Sequence, residues 1–271
     1  MSSGDLLFWA SLLLFLYAYA GYPLLITLLA RKRNSEAATT PVAPLNDVSA
    51  CPEITLVLCV HNAAATIEAR ITNLLALDYP ADRLRLLIVS DGSTDDTDAL
   101  ISAIDDDRIQ LVTYPANRGK ASALSQALPL ITSEYALFAD GRQWFEQDVI
   151  KQLLAMVRLP EVGAVTGNLV IGNGKGSPGL YWRYEKQIRA AESRYGTLVG
   201  VTGAIYLART ALLPKALPDG LILDDMYIPL TMVKAGYKVK FCPQAIAHDA
   251  ASGSLREEFD RKVRTLAGNY Q

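Results

Sequence analysis

Hydrophobic and polar residues follow two distinct patterns along this chain. Between Leu6 and Ala30 the sequence LLFWASLLLFLYAYAGYPLLITLLA has no charged residue and no polar stripe, only scattered Ser, Tyr and Thr. A helix of this length, at about 1.5 Å per residue, exceeds the ~30 Å hydrocarbon core of a bilayer. A signal peptide would begin with basic residues and have a shorter apolar core. We therefore predict a transmembrane helix over residues 6–30, with Pro23 at a kink or at the membrane interface.

Short apolar segments alternate with helix-like segments in the rest of the chain. The apolar segments, rich in β-branched residues, are 54–60, 84–90, 108–114, 135–140 and 162–171. The helix-like segments lie near residues 64–77, 95–104, 119–131 and 146–158. Strands without in–out alternation, separated by helices, are typical of a mostly parallel sheet with helices on both faces. The pattern predicts one α/β domain over residues 53–271, after a basic stop and a linker over residues 31–52.

Charged residues and cysteines indicate where this domain lies. Arg31, Lys32 and Arg33 follow the apolar segment directly, and by the positive-inside rule they place the rest of the chain in the cytoplasm. The three cysteines are odd in number and form no CxxC pair, which suits a reducing compartment. A formal net charge of −2 gives no electrostatic basis for binding nucleic acid.

Polar residues follow four of the predicted strands at the point where each strand ends. They are His61 and Asn62 after the first strand, Asp91 after the second, residues 117–120 after the third and residues 140–142 after the fourth. In open α/β sheets, ligands bind in the crevice beyond the carboxyl ends of the strands. We therefore expect these groups, although distant in sequence, to converge in one binding crevice.

The acidic sequence SDGSTDDTD, residues 90–98, contains two kinds of aspartate. The last three aspartates are explained by a helix start in which Ser93 or Thr94 is the N-cap, because the first turn of a helix favours negative charge. Asp91 precedes that helix and lies at the strand end. A carboxylate at this position can accept hydrogen bonds from a base or a ribose hydroxyl.

Lys120 and Asp140 each have a structural explanation beside the functional one. Lys120 lies in NRGKAS, which lacks the residues that a phosphate-binding P-loop requires. It is therefore either a ligand-binding residue of another kind or an exposed basic side chain at the start of a helix. Asp140 is either a turn residue before Gly141 or a carboxylate ligand for a hard cation on a nucleotide diphosphate. Taken alone, the turn explains Asp140 better, whereas the place of Lys120 in the crevice favours ligand binding.

Further charged residues lie in the second half of the chain. Asp224 and Asp225 open an amphipathic helix, and because adjacent helical residues point about 100° apart, we expect one of them to face a pocket. Arg261 and Arg264 lie one turn apart, which suits either a diphosphate clamp or a solvated face. Segment 179–196 mixes aromatic and basic residues, which suits the membrane interface, a sugar acceptor or an amphipathic helix over the sheet.

Together, the residues from Ile54 to Gln271 resemble the family 2 inverting glycosyltransferases with the GT-A fold, in particular the membrane-embedded bacterial members that build polysaccharides. The ordered matches are ITLVLCVHN, VSDGSTDDT, NRGKASAL, FADGR, VTGAIYLAR, DDMYIPLTMVKAGYKV and RKVRT. The resemblance implies the GT-A nucleotide-diphospho-sugar transferase fold, a Rossmann-like mixed and mostly parallel sheet with helices on both faces, here preceded by one transmembrane helix.

The resemblance also implies roles for single residues. The donor-binding residues are Val60, His61, Asn62, Asp91, Lys120, Asp140, Arg261 and Arg264. Asp140, the first acid of the D-x-D motif, would hold Mg²⁺ or Mn²⁺, and Asp225 would be the general base. The residues on the acceptor side are Thr202, Gly203 and Asp224. The chain departs from the family pattern at Ala63, where Glu is frequent, at Arg142, which replaces the second acid of D-x-D, and at Arg261 and Thr265, which replace Gln and Trp of Q-x-x-R-W.

The implied function is metal-dependent, inverting transfer of a sugar from a nucleotide-diphosphate donor, expected to be a UDP-sugar, to a hydroxyl of a saccharide or lipid-linked saccharide. The expected location is the bacterial inner membrane, with the catalytic domain in the cytoplasm, in exopolysaccharide or cell-envelope glycan synthesis. Polysaccharide synthase or export proteins are the expected partners. The alternatives are a polyprenyl-phosphate sugar transferase and a catalytically inactive membrane partner of a synthase complex.

Overall fold

The computed structural model describes residues 2–34, 51–172, 180–250 and 255–270, so most of the predicted linker lies outside the described residues. The apolar N-terminal segment forms helix α1 (Ser3–Leu16), a π-helical turn (Tyr17–Gly21) and helix α2 (Tyr22–Asn34). The 31 residues from Ser3 to Arg33 are long and apolar enough to cross a membrane. Most of the large apolar side chains of α1 are exposed, as expected of a helix that lies in lipid.

The irregular turn lies just before Pro23, the position at which the sequence predicted either a kink or the membrane interface. Proline has no backbone N–H, so the carbonyl group of Tyr19, four residues earlier, loses its usual helical donor. The hydroxyl group of Tyr184 donates a hydrogen bond of 2.6 Å to this carbonyl oxygen. Tyr184, from the part of the chain that follows β6 in sequence, therefore gives a donor to a carbonyl group that would be costly to leave unbonded in an apolar environment.

Within the described residues, eight strands form one sheet in the order β3-β2-β1-β4-β7-β6-β8-β5. The strands are β1 (Ile54–Val60), β2 (Leu84–Asp91), β3 (Ile109–Tyr114), β4 (Tyr135–Ala139), β5 (Trp144–Phe145), β6 (Val162–Ile171), β7 (Ile205–Arg209) and β8 (Lys238–Asp249). Strands β3, β2, β1 and β4 are parallel, β7 is antiparallel to both of its neighbours, and β6 is parallel to β8. The predicted mixed, mostly parallel sheet is confirmed.

The helices cover both faces of this sheet, as predicted. They are α3 (Ile67–Leu75), α4 (Thr97–Ser102), α5 (Lys120–Ala127), α6 (Val149–Val157), α7 (Leu180–Tyr195), α8 (Asp224–Lys234) and α9 (Leu255–Gly268). Residues of α3, α4 and α6 pack into one hydrophobic cluster with Leu56 and Leu58 of β1. Residues of α5 and α8 pack with Val57 into a second cluster on the opposite face. Because successive side chains of a strand point to opposite faces, β1 contributes to both clusters.

Helix α7 joins the long N-terminal helix to the sheet. Ala191 of α7 is fully buried against Ile26 and Ala30 of α2. The guanidinium group of Arg33 donates a hydrogen bond of 2.6 Å to the carbonyl oxygen of Tyr195, the last residue of α7. A cation near the C-terminal carbonyl groups of a helix is favourable, because these groups carry partial negative charge.

Candidate active site

Asp91, at the end of β2, holds a loop that crosses the crevice. Its buried carboxylate accepts hydrogen bonds from the backbone N–H groups of Arg118 (3.0 Å) and Gly119 (2.8 Å). Gly92 has a φ of +66°, and a Cβ atom added there would lie 2.2 Å from the backbone nitrogen of Asn117. Glycine is therefore required for the close approach of the loop. The pair Asp91-Gly92 fixes the loop that leads into Lys120.

The end of β1 is tied to the loop after β2. His61 Nδ1 lies 2.9 Å from the carbonyl oxygen of Asp91. The backbone N–H of Asn62 donates to Ser93 Oγ (3.1 Å), and Asn62 Oδ1 accepts from the backbone N–H of Thr94 (2.8 Å). Asn62 has a φ of +49°, a conformation that Asn tolerates better than most residues. These bonds give the predicted nucleotide pocket a fixed wall.

The helix start predicted within residues 93–98 lies later than expected. Helix α4 begins at Thr97 with Asp96 as N-cap, so the assignment of the cap to Ser93 or Thr94 was wrong. Ser93 and Thr94 instead bond to Asn62, as described above. The carboxylate of Asp95 accepts from the hydroxyl and N–H of Thr97 and from the N–H of Ala64, and these bonds lower the pKa of Asp95. Hydrogen bonds between the side chains and backbone of the two loops therefore replace the predicted cap.

Lys120 connects two acidic groups from different elements. Its ammonium nitrogen lies 3.0 Å from Asp140 Oδ1, beyond the end of β4, and 3.2 Å from Asp224 Oδ2, at the start of α8. Desolvation lowers the pKa of Lys120, but the two carboxylates outweigh this effect and raise it above its usual value. Lys120 is therefore a permanent cation in the crevice. The structure places Asp224 with Lys120 and Asp140, whereas the sequence assigned it to the acceptor side.

A partly buried thiol shows how closely the predicted groups converge. Cys59, near the end of β1, is surrounded by the charges of Lys120, Asp224, Asp140 and Asp91, in decreasing order of effect. Burial, with a net contribution from these charges, raises the pKa of Cys59 to about 12, so the thiol stays neutral. The carboxyl ends of β1, β2 and β4 thus bring sequence-distant acids around one point, as the sequence predicted.

Asp225 lies beside a separate pocket of about 160 Å³. The lining residues are Gly167, Asn168, Leu169, Glu185, Lys186, Arg189, Val201, Thr202, Gly203, Asp225 and Phe241. A Cβ atom added at Gly203 would lie 3.3 Å from Asp225 Oδ2, so the glycine leaves the carboxylate room at the pocket wall. Burial, together with the negative charge of Asp224, raises the pKa of Asp225 to about 6. Of the two adjacent aspartates, Asp225 lines this pocket, in agreement with the expectation that one of them faces a pocket.

Helix α7 supplies charged groups to this pocket. Arg189 donates a hydrogen bond of 2.6 Å to Thr202 Oγ1, and its second terminal nitrogen lies 3.1 Å from Glu185 Oε1. Of the three explanations that the sequence left open for segment 179–196, the structure shows a helix that contacts both β8 and α2, whereas a sugar acceptor and a place at the membrane interface stay predictions. Tyr184 contacts the long N-terminal helix, while Arg189 reaches the pocket next to Asp225.

Arg70 is a buried cation that sequence reasoning missed. Its Nε donates to the carbonyl oxygen of Asp140 (3.1 Å), and its Nη1 donates to Asn73 Oδ1 (2.8 Å). The guanidinium group also stacks over the ring of Phe145, with its central carbon 4.2 Å from the ring centroid. Burial lowers the pKa of Arg70 to about 9. The available signal was its position: Arg70 lies one turn after Ile67, on the apolar face of an amphipathic helix.

Among the described residues, no group of three or more His, Cys, Asp or Glu side chains could by itself hold a metal ion. The carboxylate of Asp140 is 38% exposed and faces the crevice beside Lys120. Arg142, which stands in place of the second D-x-D acid, lies 3.8 Å from Asp249. One protein carboxylate fits an ion that is held mainly by a ligand's phosphates and by water, which is the usual mode for Mg²⁺.

The end of helix α9 packs against Ile222 and Leu223, the two residues before Asp224. A Cβ atom added at Gly268 would lie 2.6 Å from the side chain of Leu223, the residue before Asp224. Arg264 lies one turn before Gly268 on the same face of the helix, and its side chain is exposed. The backbone of Arg261 is one further turn away, and its side chain lies outside the described residues.

This arrangement, with an N-terminal parallel half-sheet whose carboxyl ends carry the acidic groups, is that of the GT-A glycosyltransferase fold. Residues 55–213 match the model of Glycosyl transferase family 2. The chain belongs to this family and is a glycosyltransferase.

Named relatives agree with this assignment. The chain is similar to the poly-beta-1,6-N-acetyl-D-glucosamine synthase of Staphylococcus aureus, with 28% identity over 227 residues that cover 80% of this chain and 55% of the relative. It is also similar to an N-acetylglucosaminyltransferase of Azorhizobium caulinodans, with 24% identity over 87% of this chain and 62% of the relative. The chain thus spans little more than half the length of these relatives.

Solved structures show the same fold. The mannosyltransferase PcManGT from Pyrobaculum calidifontis, solved with GDP-Man and Mn²⁺, superposes with a TM-score of 0.75 at 24% identity, over 92% of this chain and 70% of that one. TarS of S. aureus, in complex with UDP-GlcNAc, superposes with a TM-score of 0.58 at 17% identity, over 74% and 59% of the two chains.

Proposed function

We propose that this glycosyltransferase transfers a sugar from a nucleotide-diphosphate donor to a hydroxyl group of a saccharide or lipid-linked saccharide, with inversion at the anomeric carbon. The supporting observation is the placement of two adjacent aspartates. Asp224 contacts Lys120 beside Asp140, while Asp225, with a raised pKa, lines a separate pocket. This arrangement suits a reaction in which donor and acceptor approach one carbon atom from opposite sides.

In this proposal the donor lies along the carboxyl ends of β1, β2 and β4. The base and ribose occupy the wall formed by residues 60–62 and by Asp91, whose carboxylate keeps free lone pairs beside its two backbone bonds. The diphosphate lies next to Lys120, which attracts it as a point charge. Arg264, with Arg261 one turn earlier, would add guanidinium donors from α9 to the leaving diphosphate.

The residues also fit a divalent metal ion that arrives with the donor. Asp140 would hold Mg²⁺ or Mn²⁺, and the ion would supply positive charge that offsets the negative charge growing on the leaving nucleoside diphosphate. Arg70 holds the backbone of Asp140 in place through its hydrogen bond to the carbonyl oxygen. The single acidic ligand indicates that the ion binds tightly only together with the donor.

Asp225 is the proposed general base. Its carboxylate accepts the proton of the acceptor hydroxyl as that oxygen attacks the anomeric carbon, and the bond from this carbon to the diphosphate oxygen breaks on the opposite face. A pKa of about 6 suits this task, because the group is mostly ionised at neutral pH and still a stronger base than an ordinary aspartate. General-base assistance of this kind is typically worth about 10² to 10⁴ in rate.

The pocket beside Asp225 is the proposed acceptor site. Thr202 and Gly203, which the resemblance assigns to the acceptor side, line this pocket together with Asp225. Arg189 and Glu185 add a hydrogen-bond donor and an acceptor, which are the groups that recognise sugar hydroxyls. Asp224 belongs to the donor side in this scheme, where its charge is balanced by Lys120.

The nature of the relatives suggests the first donor and the location to test. Two of them are named for N-acetylglucosamine, so we propose UDP-N-acetylglucosamine as the donor and a cell-surface or envelope polysaccharide as the product. The apolar helix of residues 3–33 and the basic residues at its end support anchoring in the bacterial inner membrane, with the sheet in the cytoplasm.

The test is a turnover assay on the purified chain in detergent. Nucleotide sugars are supplied one at a time with Mn²⁺ or Mg²⁺, with and without an oligosaccharide of N-acetylglucosamine, and released nucleoside diphosphate and extended oligosaccharide are measured. The expected result is metal-dependent turnover of UDP-N-acetylglucosamine that the Asp225→Asn variant loses. Turnover of a different sugar would refute the donor assignment. Binding of UDP without turnover of any sugar would favour an inactive partner, a possibility that Arg142 in place of an acid supports.

A further inference from the structure

The contact between the N-terminal helix and α7 encloses a groove that the transferase chemistry does not use. The groove has a volume of about 500 Å³. Its lining residues are Tyr22, Leu25, Ile26, Leu29, Glu192, Tyr195, Gly196, Thr197 and Val199. This volume lies within the range of small-molecule sites. The residues from α2 recur at helical spacing, so one face of the long helix forms the apolar wall.

The groove combines an apolar body with a basic end. Leu29 lines the groove, and Arg33, one turn further along α2, bonds to the carbonyl oxygen of Tyr195 at its end. Lys240 approaches the same end from β8 and donates to the carbonyl oxygen of Gly196 (2.8 Å). Arg31 and Lys32 lie exposed in the same helical turn.

The basic end carries more positive charge than its neighbours neutralise. Burial, with the nearby cations Lys238 and Arg33, lowers the pKa of Lys240 to about 8. Two acids lie near this end: Glu161 lies 3.6 Å from Lys238, and Glu192, further along the groove, accepts a hydrogen bond from the uncharged hydroxyl group of Tyr22. An anion at this end would relieve the mutual repulsion of the cations.

We propose that the groove between α2 and α7 binds an anionic phospholipid, with one acyl chain along the apolar wall and the phosphate at Arg33 and Lys240. The acyl chain of such a lipid matches the apolar wall of the groove, and its phosphate matches the basic residues at the cytoplasmic end of α2. The site rests on the proposed membrane span and is independent of the sugar chemistry. It would tie the position of α7, and with it Arg189 in the acceptor pocket, to the lipid.

The experiment uses the full chain in lipid nanodiscs that contain phosphatidylglycerol with a photoreactive diazirine in its acyl chain. After irradiation, digestion and mass spectrometry locate the lipid adducts. We expect adducts on Leu25, Ile26 and Leu29 and on residues 195–199, in addition to those on the exposed face of α2. The Gly196→Leu variant should lose the groove adducts, because a Cβ atom at Gly196 meets open space and a larger side chain fills the groove without a clash. Leu28→Phe is the matched control, since Leu28 lies on the exposed face of α2.

The head group is tested with the same lipid carrying choline instead of glycerol. Loss of charge-assisted hydrogen bonds in Arg33→Gln should reduce the preference for phosphatidylglycerol by about tenfold.

Val199→Trp, at an exposed position of the groove rim, gives a second filled variant if Gly196→Leu does not fold. Adducts in the groove that persist in the filled variants, or equal labelling by the two lipids, would each overturn the proposal. Absence of adducts on every face of α2 would instead refute the membrane span.

Discussion

Lys120 Nζ lies 3.2 Å from Asp224 Oδ2, so a cation is held directly beside the residue that precedes the proposed base. The same ammonium group is 3.0 Å from Asp140. Burial and then Asp224 raise the pKa of Asp225, and Lys120 opposes them. The ionisation of the proposed base is therefore set by groups on the donor side, and it should respond when they change.

The pH dependence of turnover follows from this arrangement. Asp225 must be ionised to accept a proton, so kcat/KM should fall below an apparent pKa of about 6. Lys120→Met removes the charge that lowers this pKa, and the acidic limb of its residual activity should move to higher pH. Asp224→Asn removes a charge that raises the pKa, and the limb should move to lower pH. The measurement is the pH profile of kcat/KM for each variant.

Lys234→Met is the matched control for these shifts, because Lys234 lies in the last turn of the same helix α8. Its profile should coincide with that of the parent protein. Movement of the limb in the same direction for Lys120→Met and Asp224→Asn would show that Asp225 does not govern it.

Replacement of Asp225, the proposed base, should lower the activity and raise the stability of the protein. The pKa of Asp225 is raised from 3.8 to about 6 in the folded protein, so its charged form destabilises the fold. This cost is absent below the unfolded pKa, grows as pH rises and is complete above pH 6. Asp225→Asn should therefore raise the free energy of unfolding by up to about 3 kcal/mol at pH 8 and by about 1 kcal/mol at pH 4.5. Solvent screening of the Asp225 charge reduces both gains.

Denaturant unfolding in detergent at the two pH values measures this gain, and the turnover of the same variant should fall by a factor of about 10² to 10⁴ while UDP still binds. Asp105→Asn, at an exposed position, is the control and should change neither quantity. Equal stability of Asp225→Asn and the parent protein at pH 8 would contradict the buried charge, and retained turnover would remove Asp225 from the mechanism.

Gly92 allows a sharp test of the loop that Asp91 holds. Gly92→Ala would place a Cβ atom 2.2 Å from the backbone of Asn117, in addition to the cost of a φ of +66°. Gly220→Ala is matched in φ, at +70°, but its Cβ atom would meet nothing within 4 Å. We expect about 1–2 kcal/mol of destabilisation for Gly220→Ala from backbone strain. Gly92→Ala should cost roughly 3 kcal/mol or more.

Gly92→Ala should also weaken donor binding, because displacement of the loop moves Lys120. The donor KM should rise in Gly92→Ala and stay constant in Gly220→Ala. Similar effects of the two substitutions on stability and on the donor KM would mean that the position of the loop at residues 117–119 does not depend on Gly92.

Much of the fold could be predicted from local patterns. Strands β1, β2 and β4 are buried on both faces and therefore appear in the sequence as continuous apolar segments. The predicted ends of these strands lie within one residue of the observed ends. The rule that crevices lie at the carboxyl ends of parallel strands then brought Asp91, Asp140 and Lys120 together. These are consequences of short-range pattern and of the topology of parallel sheets.

Other features depend on contacts between distant segments, which no local pattern reports. Asp224 contacts Lys120, more than one hundred residues earlier in the chain. The cap predicted at Ser93 or Thr94 does not form, because both residues bond to Asn62 of another loop. The bond from Tyr184 to the Tyr19 carbonyl likewise required the packing of two helices to be known. Pro23 could indicate only that this carbonyl would need a new donor.

Arg189 should affect the acceptor and leave the donor unchanged. Its guanidinium group lines the pocket beside Asp225 and is held by Thr202 and Glu185. Arg189→Gln removes a charged hydrogen-bond donor, so the acceptor KM should rise by about tenfold or more, which corresponds to 1.4 kcal/mol. The donor KM and the slow hydrolysis of donor in the absence of acceptor should not change. Steady-state kinetics with each substrate varied in turn measures both.

Arg194→Gln on the same helix is the control, because Arg194 is exposed and does not line the pocket. Its kinetic constants should match those of the parent protein. A parallel loss of donor hydrolysis in Arg189→Gln would assign Arg189 a role in holding the fold, since an acceptor contact cannot alter a reaction that proceeds without acceptor. Unchanged KM values for both substrates would place the acceptor elsewhere, and Asp225 would then be a base without an adjoining binding site.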